Sequence, residues 1–390
     1  MKAFKKGAIT LLALSLVALS SPYSVSLAAL TKNVDILYVD EDGKNDVEEM
    51  VKKAEDSRGE EIGINLDIVD KKKVAENDIS GYEAFIFKTD NLNSSNKKVI
   101  QFLVEEGKRV YLFGEALSIS KASKIFGANL EPSEDEVKKK PLKKEYKDQK
   151  HDVIGIEVEN GTVHPFYGDI EIEDGIEEDF MKLNLIISDL TKDYESDLIT
   201  KNTAAADAQR VDSVQDHFAA KYVGSKLIGE VNNDYIVYQD VDEKDEELDY
   251  WALKTVTTVK SYNGAKASAI TYYKDLVYSS DDLEDSDPGD TSSDNSFSIA
   301  LYPPGLSYSF STSSSVKVNH TEDTSDDDVK WVVTPAGLRT SFDTPFNFNP
   351  GISWFGSPGI TSVDVETKTN FDYNYQTYTL EMDRRVTYSY

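Results

Sequence analysis

Ser307-Tyr308-Ser309-Phe310-Ser311-Thr312-Ser313-Ser314-Ser315-Val316-Lys317-Val318 alternates without a break. Tyr308, Phe310, Thr312, Ser314, Val316 and Val318 fall on one parity, and four serines, Ser315 and Lys317 on the other. A period of two marks a strand with one face buried and one face wet. The same habit extends in both directions. Trp251, Leu253, Thr255, Thr257 and Val259 share a parity, and Asn263-Gly264 is a turn signal before a strand over 265–278. In the tail, Phe371, Tyr373 and Tyr375 on one parity give way to Tyr378, Leu380 and Met382 on the other, which predicts a bulge near Gln376. Upstream, 153–158 and 169–172 alternate, and Asn232-Asn233-Asp234 reads as a hairpin turn between 225–231 and 235–241. One helix is predicted in this part, over 203–222, with Val211, Val214, Phe218 and Tyr222 on one face. Residues 151–390 therefore read as a mostly antiparallel β-sandwich or a pair of packed sheets.

The first part of the chain has a different period. Strands are predicted at 34–39, 62–69, 84–87 and 109–113, with helices between them at 46–55, from Ser94/Ser95 onward, and at 118–125. Val99, Phe102 and Leu103 give the second helix an apolar stripe, and Gly107 and Gly127 stand where left-handed helix ends want glycine. Alternating strands and helices imply a small parallel sheet with right-handed crossovers, an α/β domain. The phrase Ile79-Ser80-Gly81-Tyr82-Glu83-Ala84-Phe85-Ile86-Phe87, followed by a helix ending Val104-Glu105-Glu106-Gly107-Lys108-Arg109-Val110, carries a resemblance. Over residues 33–128 the order of elements resembles a class I glutamine-amidotransferase-like or flavodoxin-like domain. Catalytic members place a cysteine on a sharp strand-to-helix turn. Here that turn reads Gly114-Glu115-Ala116-Leu117-Ser118 and the chain has no cysteine, so the resemblance implies the scaffold without the amidotransferase chemistry.

Charge divides the chain in the same place. Of 390 residues, 71 are Asp or Glu and 42 are Lys or Arg, a formal net charge of −29. Residues 31–130 carry 15 basic and 20 acidic side chains, residues 131–150 carry 7 and 6, and residues 151–390 carry 17 and 45. The sequence thus predicts a signal peptide over 1–28, an α/β domain over 31–130, a charged linker over 131–150, and an acidic β-rich domain over 151–390 with room for a further division near 225–250. The signal is read from Lys2, Lys5 and Lys6, an apolar run from Ala8 to Leu19 too short to span a bilayer, and Ser26-Leu27-Ala28 at the cleavage point. A secreted, extracellular bacterial protein is expected, with no transmembrane helix in the mature chain. Zero cysteines exclude disulfides, thiolate metal sites and a cysteine nucleophile. A field this negative repels polyanions and excludes nucleic acid as an expected partner.

Candidate chemistry is sparse. Asp285-Ser286-Asp287-Pro288-Gly289-Asp290 spaces its carboxylates like a calcium loop without matching the EF-hand pattern, so Asp285, Asp287 and Asp290 are candidate Ca²⁺ ligands. Asp40, Asp42, Asp70, Asp90 and Glu115 fall at the carboxyl ends of the parallel strands, where open α/β sheets bind ligands. The four histidines, His151, His164, His217 and His320, show no metal spacing, and His164 with Asp169 is a candidate acid/base pair. Trp331, Trp354, Tyr373 and Tyr375 are candidate ligand-facing rings, able to stack on sugars if they point outward. These readings favour a non-catalytic protein that binds an extracellular surface, glycan or protein. A β-pore-forming toxin, with 306–319 and 329–333 as an inserting hairpin, is the first alternative, and a carboxylate-dependent secreted hydrolase the second.

Overall fold

The computed structural model describes residues 34–39, 44–59, 64–69, 81–132, 137–138, 141–143, 148–159, 161–199, 208–240, 248–301, 306–356 and 358–389. The signal-peptide reading falls outside them, as do Asp40, Asp42 and Asp70.

Strands β1 (Val34–Val39), β2 (Ile64–Val69), β3 (Ala84–Lys88) and β4 (Arg109–Ser118) pair in parallel in the order β2-β1-β3-β4. The central strand β3 is apolar on both faces (Ala84, Phe85, Ile86 and Phe87 all buried), as a strand covered by helices on both sides must be. Helix α1 (Lys44–Arg58) packs with Ile36, Tyr38 and Ile86 on one face, while α2 (Ser94–Glu105) and α3 (Ile119–Phe126) cover Leu37, Phe85 and Leu112 on the other. Asn93, rather than Ser94 or Ser95, caps α2, its side chain accepting from Ser95 N at 2.9 Å and Asn96 N at 3.1 Å. The buried stripe of α2 is Ile100, Leu103 and Val104, and Phe102 points largely outward. Gly107 and Gly127, each at φ 71°, end α2 and α3 in the left-handed conformation.

The sheet does not stop at β4. Strand β5 (Lys150–Glu159) pairs antiparallel with it, and β6 (Thr162–Glu173), β7 (Ala208–Val223), β8 (Lys226–Asp240) and β9 (Asp249–Ser261) extend the same sheet. Strands β6 and β7 are parallel, joined across helix α4 (Asp179–Ile199). The short strands β11 (Asp282–Asp287), β15 (Phe346–Phe348) and β16 (Gly351–Gly356) complete twelve strands at the far edge. A second, six-stranded sheet runs β12-β13-β14-β10-β17-β18, from β10 (Lys266–Leu276), β12 (Thr291–Ala300), β13 (Ser307–Asp323), β14 (Asp328–Pro335), β17 (Ile360–Tyr373) and β18 (Gln376–Ser389). All of its pairs are antiparallel. Its inner face closes on β7, β8, β9 and β15, with Trp251, Trp331, Trp354, Tyr272 and Phe371 in the core between the sheets. On β7, Ala219 faces this core while Phe218, Ala220 and Tyr222 face α4. One face of the long sheet is thus covered by α1 and α4, and the other by α2, α3 and the second sheet.

Three local expectations are corrected. The helix expected over 203–222 is strand β7, and the helix of this region is α4. Phe218 and Tyr222 lie four apart, a spacing that keeps one face in a strand as well as in a helix, so pairing with β6 and β8 decides. Asn232-Asn233-Asp234 is no turn but the middle of β8. Asn233 is fully buried: its amide donates to Tyr235 Oη (3.1 Å) and Thr367 Oγ1 (3.0 Å), and its carbonyl accepts from Thr257 Oγ1 (2.7 Å). The parity change near Gln376 is a two-residue hairpin. Tyr373 pairs with Gln376, and Asn374 and Tyr375 both adopt positive φ, 50° and 66°, as the tightest twisted turns require. The described residues of 131–150 are anchored rather than free. Val137 and Leu142 pack with Tyr278 and Ile360, and Lys143 Nζ lies 2.7 Å from Asp327.

Candidate functional site

On the outer face of the six-stranded sheet, the described segment with Val137 and Leu142 packs at Ile360, whereas the β12–β13 side is exposed. Across β12 and β13 the outward pairs are Ser296 with Ser311, Ser298 with Ser309, and Ala300 with Ser307, all exposed. Further along β13 come Lys317, Asn319 and Thr321. On β17 and β18 the same face carries Asp364 with Arg385, Glu366 with Asp383, Lys368 with Glu381, and Asn370 with Thr379. The face therefore grades from a smooth hydroxyl patch to a charged one. The Arg385 guanidinium is held against Asp364 by bonds of 2.7 and 2.9 Å, which fixes part of the charged end in place. Strand β12 ends the sheet, and Ser292 to Ser296 are exposed along it.

The residues singled out from the sequence are mostly kept apart. Asp285 accepts from Ser286 N, Asp287 from Gly289 N (3.0 Å) and Ala300 N (3.2 Å), and Asp290 from His320 N (2.7 Å). These carboxylates tie down backbone, and their oxygens do not converge on one point. Trp331 and Trp354 are not ligand-facing. Both are buried between the sheets, their indole N–H groups donating to Pro288 O and Thr361 Oγ1, each at 2.9 Å. Tyr373 packs partly against that core, and Tyr375 stands fully exposed at its hairpin tip. Asp90 lies 4.0 Å from Lys88, and Glu115 is exposed. In the hairpin expected to insert, the inward side of β13 is broken by Thr312 and Ser314, and its partner β14 has eight residues. Among the described residues no helix is long and apolar enough to cross a membrane.

His164 does not meet Asp169. His151 and His217 do. Asp169 on β6 receives His151 Nδ1 at 3.0 Å to both carboxylate oxygens and His217 Nε2 at 2.6 Å to Oδ2. Burial alone would raise the Asp169 carboxyl, but the two imidazoles hold it well below the usual range. Burial pushes His217 below its ordinary value against the pull of Asp169. The sequence signal for this cluster is His217 within an apolar run of β7, which a helical reading of 203–222 hides. Among the described residues these three alone bring together enough donor atoms for a metal ion.

Two further polar clusters lie on the opposite face, under α4. Lys192 pairs with Asp234 and, at 3.2 Å, with Asp216. Burial would lower the Lys192 ammonium, but Asp216 and Asp234 hold it above its ordinary value. Burial raises both of those acids, Asp234 to about 6. Arg58 of α1 reaches Glu230 of β8 at 3.1 Å, Ser188 at 2.9 Å and Tyr262 Oη at 2.8 Å, binding α1, α4 and β8 together. Both partners are almost wholly buried.

No protein-family model matches the chain, and no curated protein does. Among solved structures, a pore-forming protein is 8% identical over 41% of this chain and 84% of its own, with a TM-score of 0.23. A cohesin module from a Clostridium perfringens family 33 glycoside hydrolase is 11% identical over 35% and 83%, with a TM-score of 0.21. A collagen-binding domain from a Staphylococcus aureus adhesin is 11% identical over 39% and 95%, with a TM-score of 0.19. At such scores function must be argued from the chain's own surfaces.

Proposed function

We propose that this chain is an exported, non-catalytic binding protein, and that the outer face of its six-stranded sheet is the surface that meets an extracellular protein or glycan. The observation that carries this reading is the uncovered serine ladder on β12 and β13. Serine costs little side-chain entropy when immobilised, whereas a lysine or glutamate loses up to about 2 kcal/mol. A face of paired hydroxyls offers both donors and acceptors and lies flat enough for close approach. The charged end on β17 and β18 supplies register and steering rather than affinity. The acidic β-rich surface suits life outside the cell, where carboxylates keep a protein hydrated and dispersed. Calcium belongs to this proposal only as a ligand of exposed acidic loops. For residues 33–128 we propose the amidotransferase-like or flavodoxin-like scaffold, without its chemistry, as a platform for the sheet.

The test is binding of the fluorescently labelled mature chain to intact bacterial and animal cells and to a glycan array. Saturable binding is expected, reduced at least tenfold by Ser309→Arg with Ser311→Arg, and unchanged by Lys97→Glu on the remote helix α2. Both variants should melt with the parent chain. Binding that ignores the β13 substitutions, or leakage of liposomes at micromolar protein, would overturn the reading.

A further inference from the structure

We propose that His151, Asp169 and His217 form a binding site for one divalent transition-metal ion, zinc being the ion that best fits two imidazoles and a carboxylate. The three residues lie 18 and 48 positions from one another along the chain and come together only because β5, β6 and β7 are neighbours. Their donor atoms all lie within 4.8 Å of one another. His151 is 2% exposed and His217 0%, whereas the Asp169 side chain keeps 30% exposure. An ion therefore has a way in past the carboxylate and a side open to water, while the imidazoles are fixed by the sheet.

The second observation concerns the far nitrogens. His151 Nε2 and His217 Nδ1 are buried and meet no hydrogen-bonding group of the protein. Nothing behind either ring fixes its tautomer, so both near nitrogens are free to turn a lone pair toward a cation. With the protons on the near nitrogens, both far lone pairs stay bare in a dry seam. With the protons on the far nitrogens, two lone pairs face a carboxylate, an arrangement that only a cation between them makes favourable.

The two separations to Asp169 are close to those of a filled site. A tetrahedral zinc with bonds of about 2.0–2.1 Å holds its donors roughly 3.3 Å apart. The observed donor separations to Asp169 are 2.6 and 3.0 Å, so each contact opens by a few tenths of an ångström on loading. The other charges around the site come from β5 and β18. Asp152 of β5 and Asp383 of β18 add negative potential, while the buried Arg384 of β18 stacks over Tyr167, whose ring lies 4.9 Å from that of His151. With no outer hydrogen-bond partner on either imidazole, affinity should be about 10–100-fold below that of a site so supported.

The experiment uses the full mature chain, stripped with chelator and then titrated with Co²⁺ and Zn²⁺ at pH 7.5. Expected are visible d–d absorption from one tetrahedral Co²⁺ per chain, its displacement by Zn²⁺, and a rise in melting temperature with zinc. Metal binding releases protons from its ligands, so affinity should fall at acid pH. Asp169→Asn and His151→Gln should each weaken binding at least tenfold, and His164→Gln should leave it unchanged. Absence of the cobalt spectrum from the folded parent chain overturns the proposal without any variant. So does binding that survives both site substitutions, which would place the ion on the acidic surface instead.

Discussion

Gly229 of β8 lies beneath the ring of Phe371 of β17, at the contact that joins the two sheets. A Cβ added at Gly229 would stand 2.2 Å from two ring carbons and 2.6 Å from a third. Ordinary van der Waals contact begins near 3.4 Å. An alanine there must push a fully buried ring aside by about 1 Å, in a close-packed interior with no slack. Overpacking of this kind costs about 1–3 kcal/mol, although alanine in place of a strand glycine otherwise gains roughly 0.5–1 kcal/mol. Gly229→Ala should therefore destabilise by about 1–2 kcal/mol, and Phe371→Ala by about 3–5 kcal/mol through the cavity it leaves. In the double variant the new methyl enters the vacated space, and the glycine change becomes favourable again. The pair should then cost about 2 kcal/mol less than the sum of the two singles. Urea unfolding followed by tryptophan fluorescence reads this directly, because Trp251, Trp331 and Trp354 all lie in the core between the sheets. A stabilising Gly229→Ala, or additivity within about 0.5 kcal/mol, would mean that β17 does not cross β8 at this residue.

Lys274 is buried beside Trp331 with its amine donating only to Pro350 O at 3.0 Å, and burial pushes it well below its ordinary value. Burial disfavours its charged form in the fold relative to the unfolded chain, so folding promotes proton release and the native state gains stability as pH rises toward 10.5. Lys274→Met should stabilise by roughly 1–4 kcal/mol, more at pH 6 than at pH 9, as melting curves across pH will check. Arg58→Ala strands the buried Glu230 and should cost about 3–5 kcal/mol in urea unfolding, with Glu230→Gln costing less. Tyr375 holds φ 66° at an exposed hairpin tip, so Tyr375→Gly should raise stability by about 1 kcal/mol in the same assay.

Where a local rule is strong, the sequence carried the structure. The alternation of 307–318, the Asn263-Gly264 turn and the glycines ending α2 and α3 are decided by backbone sterics within a few residues, and they appear as read. Failures came where distant partners decide. Asn232-Asn233-Asp234 has turn composition, yet Thr257 and Thr367, contributed by other strands, satisfy Asn233 inside β8. Helix α4 buries Phe180, Met181, Leu183, Leu185, Ile186, Ile187 and Leu190 with the polar Lys182, Asn184, Ser188 and Asp189 interleaved and buried among them, and so offers no single apolar stripe to count. The His151–Asp169–His217 cluster was illegible for the same reason. Its members are brought together by sheet order, which no spacing along the chain encodes. Trp331 and Trp354 point into the core rather than toward a ligand, because an aromatic in a strand does not by itself say which face is wet.

The antiparallel join of β4 to β5 also bears on how the protein is made. In a chain cut at residue 130, β4 would present ten residues, Val110 to Phe113 among them, as an uncovered edge ready to pair with another copy. During synthesis that edge is bare until 150–159 emerge, and β7 and β18 must follow before the sheets can close. Long-range pairing of this kind is slow and exposes sticky intermediates. Under the export proposed above, a chain built this way gains from staying unfolded until all of it has crossed the membrane.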